Sequence, residues 1–178
     1  MAEAEYGYML DTSTISVMRR EHKPLHQAAM DWLDGINEND RVYISAITLS
    51  EIRFGLELAR PQDLPPNRKK EILEFANSYS VLGVDQNTSK QYGKIRSDLF
   101  KKYAGRDANN RVRVGSVENL RELTSESELG IQENDLWIVS VAIQHNMIFV
   151  TADSKGSMKK IVEIANYEEQ TIFLKNEE

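Results

Sequence analysis

The sequence predicts an α/β domain with a mainly parallel central sheet flanked by helices. Short runs of β-branched and aromatic residues alternate with segments whose apolar residues recur at helical spacing. Carboxylates also stand where a predicted strand or loop hands over to a helix: Asp11, Glu51, Asp135 and Asp153. In an open α/β sheet that edge is where ligands bind. A length of 178 residues suits one domain, read here as residues 1–178.

The elements follow in order. Tyr6 to Leu10 is a short buried strand ending at Asp11, which can cap a helix from Thr12. From Leu25 to Ile36, apolar positions 25, 28, 29, 32, 33 and 36 share one helical face. Pro24 suits its first position. Arg41 to Ile47 reads as a second strand and Thr48 to Ala59 as a helix. Pro61, Pro65 and Pro66 interrupt the chain, and Pro66 opens a helix to about Ser78. Val81 to Val84 is a third strand. Gln86 to Tyr103 is amphipathic, with Tyr92, Ile95, Leu99 and Tyr103 as its apolar stripe.

Residues 104–132 are charged and irregular, a segment expected to be an insertion or mobile loop with a short helix near Val117 to Leu123. Leu136 to Gln144 is an almost wholly apolar, hence buried, helix that Asn146 can close in a left-handed conformation. Met147 to Ala152 is the strongest strand. Ser157 to Ala165 is a further helix and Thr171 to Leu174 a last strand.

Composition narrows the chemistry. The chain has no cysteine, so disulfides, thiolate nucleophiles and Cys-ligated zinc are excluded. The acidic start MAEAEYGYML is unlike a signal peptide, and no apolar run is long enough to span a membrane. Both features fit a cytoplasmic protein. Three scattered histidines offer no Ser-His-Asp pattern, and there is no Gly-rich phosphate loop.

The net charge of −6 hides a segregation. Lys90 to Arg113 holds eight cations against Asp98 and Asp107, a balance of +6. Val114 to Asp135 holds six acids against Arg121, a balance of −5. A chain patterned this way can present a basic face to a polyanion, with Lys94, Lys101, Lys102 and Arg106 as candidate RNA contacts. The same cations can equally form the wet side of an amphipathic helix.

Each acid has a simpler role open to it. Thr48-x-x-Glu51 is a potential capping box, Asp11 and Asp135 are potential N-caps, and Asp153 is a potential turn residue. If the four instead converge, carboxylates about 5 Å apart repel by roughly 3 kcal/mol per pair at an effective dielectric near 20. Such a cluster takes up protons or binds divalent cations. Thr12, Ser13 and Thr151 stand beside the acids as supporting hydroxyls.

Four motifs carry a resemblance: Asp11-Thr12-Ser13, Thr48-Leu49-Ser50-Glu51 with Gly55, Asn134-Asp135 before Leu136-Trp137-Ile138, and Thr151-Ala152-Asp153. In this order the chain resembles the PIN-domain ribonucleases, in particular VapC-type toxins of bacterial toxin–antitoxin pairs. Ser13 stands where the family often has Asn, and the chain is longer than common members. The resemblance implies a single PIN-like domain and an endoribonuclease dependent on Mg²⁺ or Mn²⁺. Asp11, Glu51, Asp135 and Asp153 would then be both catalytic and metal-holding. Water activated by the metal would cut RNA to leave a 5′-phosphate and a 3′-hydroxyl. It further implies a homodimer and a cognate antitoxin. Two other readings stay open: a non-catalytic PIN-like scaffold for RNA or protein, and a phosphoacceptor receiver domain.

Overall fold

A computed structural model describes residues 6–104, 108–111, 131–154 and 156–175. Most of 104–132, with Arg106 and the expected helix at Val117 to Leu123, lies outside them. Five strands are described: β1 (Gly7–Leu10), β2 (Arg41–Ser45), β3 (Ser80–Leu82), β4 (Ile148–Thr151) and β5 (Thr171–Phe173). The seven described helices are α1 (Thr12–Met18), α2 (His26–Asp34), α3 (Ala46–Leu58), α4 (Pro66–Asn77), α5 (Gln86–Tyr103), α6 (Glu133–Gln144) and α7 (Ser157–Ala165). No helix among the described residues is long and apolar enough to cross a membrane.

The sheet runs β3-β2-β1-β4-β5, and every pairing is parallel. Leu10 in β1 aligns with Ile44 of β2 on one side and Val150 of β4 on the other. The crossovers therefore reverse direction between β1 and β4, the place where doubly wound sheets open a crevice. A receiver domain has the order 2-1-3-4-5, so the strand order rules that alternative out.

Alternation along the strands divides the core. Met9 and Phe149 face one side, packed with Ile95 and Leu99 of α5, Leu136 and Val139 of α6, and Ile161 of α7. Leu10, Ile44 and Val150 face the other, against Ile15 and Met18 of α1 and Ala29 of α2. The apolar sequence of α6 has the expected consequence: Leu136, Ile138, Val139, Val141 and Ala142 are all buried. Asn146 ends that helix in the left-handed region, at φ 50°.

The handover from β2 to α3 differs from the sequence expectation. The strand stops at Ser45 and the helix starts at Ala46, two residues earlier than predicted. The cause is the Ser45 hydroxyl, which accepts the Thr48 amide at 2.9 Å and caps the helix. The Thr48–Glu51 capping box therefore does not form, and Glu51 is free of that duty in the second turn.

Gly93 sits in the middle of α5, and a β-carbon there would meet nothing within 4 Å. Gly93→Ala is expected to stabilise the protein by roughly 0.5–1 kcal/mol. Thermal melting checks this, with a rise of about 1–4 °C for a chain of this size.

Candidate active site

Four separate elements deliver the four acids to one edge of the sheet. Asp11 follows β1 and caps α1, its carboxylate accepting the Thr14 amide at 2.7 Å. Asp153 lies two residues beyond the end of β4 and accepts the Gly156 amide at 3.1 Å. Both capping and turn roles are thus real, and both place the acid at the switch between β1 and β4. Glu51 extends from α3, and Asp135 from the first turn of α6. Asp135 is not the N-cap, because that helix begins after Gln132. All four line one cleft of about 270 Å³, with Thr12, Ser13, Gln132 and Met158.

Hydroxyls and an amide hold these carboxylates in place. Asp11 is only 2% exposed, and its Oδ2 accepts from Ser13 and Thr151, each at 2.7 Å. Thr151 Oγ1 also accepts the Asp153 amide at 3.0 Å, so one threonine links two of the acids. Glu51 accepts from the Thr12 hydroxyl and, at 2.7 Å, from the Asn134 amide. Asp135 Oδ2 accepts from Ser157 at 2.8 Å.

The electrostatics match the crowding. Burial pushes the Asp135 carboxyl up to about 6, and the charges of Asp11, Glu51 and Asp153 push in the same direction, against the Ser157 hydrogen bond. Burial also raises the Asp11 carboxyl, and its hydrogen bonds from Thr151, Thr14 and Ser13 offset part of that. The donor set is oxygen only, which suits hard divalent cations. As they stand, no three His, Cys, Asp or Glu side chains among the described residues are placed to hold one metal ion together. Mg²⁺ ordinarily keeps several waters and uses only one or two carboxylates, so it does not require three of these acids to close on it at once.

Sequence reasoning picked out Thr12, Ser13 and Thr151, and all three touch an acid. It passed over Asn134 and Ser157. Asn134 had a signal in its place beside Asp135, whereas Ser157 had only its position opening the helix after Asp153. No histidine lines the cleft; His26 instead pairs its ring Nδ1 with the Val17 carbonyl at 3.1 Å.

The basic stretch is placed in part. Thr88 of α5 meets Gln144 of α6, and Arg96 meets Glu133, so the two helices run antiparallel. Glu133 opens the helix that carries Asp135, so the last turn of α5 points past that end. Lys101 and Lys102 are exposed in that turn, with Lys101 paired to Asp98 at 2.8 Å, and Lys94 is exposed further back on α5. Arg96 is instead half-buried, 2.6 Å from Glu133 and over the Tyr92 and Phe100 rings. Tyr92 stacks on Trp137 at 3.8 Å, and Phe100 is buried, so these rings serve the core.

Gly156 is a close approach. A β-carbon there would lie 2.8 Å from Asp153 Oδ2. Gly156→Ala is expected to displace the Asp153 carboxylate and to weaken Mn²⁺ binding about tenfold or more. Calorimetric titration with Mn²⁺ checks it; unchanged affinity would show that Asp153 does not need its present position.

The fold and the cleft define a class of protein: a doubly wound parallel α/β domain with a four-carboxylate pocket at its topological switch. The model of the PIN domain matches residues 8–163, and the chain belongs to the PIN-domain family. No curated protein matches the chain. Solved structures do. The VapBC2 complex from Rickettsia felis, bound to a DNA fragment from its promoter, is 21% identical over 87% of this chain and 92% of that one, with a TM-score of 0.61. VapBC-1 from nontypeable Haemophilus influenzae is 21% identical over 88% and 93%, with a TM-score of 0.61. FitAcB from Neisseria gonorrhoeae is 25% identical over 89% and 93%, with a TM-score of 0.56. At these identities the likeness bears on the fold.

Proposed function

We propose that the protein is a divalent-metal-dependent endoribonuclease of the VapC type, the toxin of a toxin–antitoxin pair. The observation that carries this is the convergence of Asp11, Glu51, Asp135 and Asp153 on one cleft at the sheet's switch point. Those four residues hold Mg²⁺ or Mn²⁺ through oxygen atoms. A divalent ion, when bound, supplies the positive charge that acidifies a water and stabilises the leaving oxygen of the phosphodiester.

The chain's own groups do the rest. Thr151 and Ser13 fix the Asp11 carboxylate, while Thr12 and Asn134 fix Glu51. Ser157 orients Asp135. These hydrogen bonds fix the orientations from which the acids would close on a cation. Lys94, Lys101 and Lys102, with Arg106 beyond them in the sequence, supply cations for the RNA backbone on the α5 side. The presence of all four acids favours an active enzyme over a non-catalytic scaffold.

A cognate antitoxin is supported by the fold's likeness to toxin–antitoxin complexes. Homodimerisation is supported by Phe54 and Leu58, one turn apart on α3 and 65% and 66% exposed.

The test is incubation of the purified protein with total cellular RNA in Mg²⁺, in Mn²⁺ and in chelator, followed by sequencing of the ends. Discrete cleavage is expected with either ion and none in chelator. Cleavage that persists in chelator, or folded protein inert in both ions, contradicts the proposal.

A further inference from the structure

A second cleft, of about 390 Å³, opens beside the acidic one, and Thr12 and Glu51 line both. Its walls come from α1, α3 and α4. Its distinguishing feature is three guanidinium groups, those of Arg19, Arg20 and Arg68. Ile52, Leu56 and Ile72 supply an apolar floor. Gly55 adds no obstruction, since a β-carbon there would meet nothing within 4 Å.

The three arginines are unevenly neutralised. Arg68 pairs with Glu71 at 2.7 Å. Arg19 and Arg20 make no ion pair among the described residues. Arg19 is half-buried; its proton affinity is lowered first by burial and then by the charges of Arg68 and Arg20, with Glu71 opposing. A partly desolvated cation crowded by two others favours an anionic ligand.

We propose that this arginine cleft is an RNA subsite, seating the phosphate and base next to the bond that lies in the acidic cleft. The proposal rests on the ribonuclease reading and extends it. A cluster of carboxylates repels a polyanion, so a strand crossing it needs cations on both sides. The end of α5 offers them on one side and Arg19, Arg20 and Arg68 on the other. Guanidinium forks bind phosphate oxygens through paired hydrogen bonds, and their planes stack on unpaired bases. The apolar floor suits the face of a base, and continuity through Thr12 and Glu51 puts it within one strand's reach of the acids.

The test uses the full chain in chelator, so that RNA is bound but not cut, with a fluorescent single-stranded RNA as probe. Arg19→Gln with Arg20→Gln is expected to weaken binding about tenfold or more. The dependence of log affinity on log salt is expected to flatten by about 1.4, or 0.7 for each lost phosphate contact. The exposed Arg20→Gln alone should give about half that flattening and keeps the test available should the double variant not fold. Arg41→Gln, at the opposite edge of the sheet, should leave affinity and slope unchanged. Wild-type affinity and slope in the double variant, or an equal loss in Arg41→Gln, overturns the proposal. So does RNA binding that persists while binding of a poly-glutamate peptide is lost, which would assign the cleft to an acidic protein segment. Cleavage by the wild-type protein in Mn²⁺, run in parallel, judges the ribonuclease reading separately.

Discussion

Asp153→Asn is expected to lower RNA cleavage by about 10²–10³-fold while leaving the melting temperature within a few degrees of wild type. The amide keeps the size of the carboxylate. Its oxygen can still accept the Gly156 amide, which lies 3.1 Å from Oδ1, so the turn after β4 is preserved. What is lost is a negative charge at the β1/β4 switch, where the proposed cation needs it. The Asp153 amide would still donate to Thr151, so the support for Asp11 is untouched. A folded Asp153→Asn protein that cuts RNA at the wild-type rate would remove Asp153 from the site.

The second large effect is on stability and its pH dependence in the metal-free protein. Asp135 is pushed up to about 6 by burial, with Asp11, Glu51 and Asp153 adding to the shift, against an ordinary value of 3.8. Between these values the folded state holds a proton that the unfolded chain has released. Stability from this group is therefore fully present below the unfolded value and is lost as pH rises through about 6. From about pH 5 to about pH 7.5 the loss is about 1.4 kcal/mol. Asp135→Asn removes the titration and keeps an oxygen for Ser157. Its metal-free form should be the more stable at neutral pH, with a flatter pH profile. Mn²⁺ should raise the melting temperature of the wild type more than that of the variant, because a ligand of the folded state stabilises by mass action. Parallel pH profiles for the two proteins would show that Asp135 does not titrate at a raised value in the folded protein.

Much of this site was legible because the acids are placed by local rules. Strand ends and helix starts lie at one edge of a parallel sheet, so Asp11 after β1 and Asp153 after β4 announce themselves. The amphipathic period of α5 and the apolar run of α6 fixed those helices, and α5 begins and ends where the sequence places it. The errors came at helix starts. Ser45 ends β2 early through its cap, which the β-branched pattern of Ile44 and Ile47 concealed; α6 starts after Gln132, before the acid that was expected to open it, with no side-chain cap to signal it. Long-range partners were not legible at all. Asn134 reaches Glu51 across 83 positions, and no spacing rule predicts such a pair. The arginine cleft is of the same kind, since Arg19 and Arg68 meet only after α1, α3 and α4 have packed. Arg96 illustrates the reverse case, a cation that charge counting assigns to a basic face and that tertiary packing turns onto Glu133 and two rings.

Water, activated in the four-carboxylate cleft, is the proposed nucleophile on phosphorus in RNA. Cleavage in ¹⁸O-labelled water with Mn²⁺, followed by mass spectrometry of both product ends, tests it most directly. One ¹⁸O in a 5′-phosphate and an unlabelled 3′-hydroxyl are expected, with both products absent in chelator. A 2′,3′-cyclic phosphate with a 5′-hydroxyl would mean that the RNA's own 2′-oxygen is the nucleophile, and would contradict it.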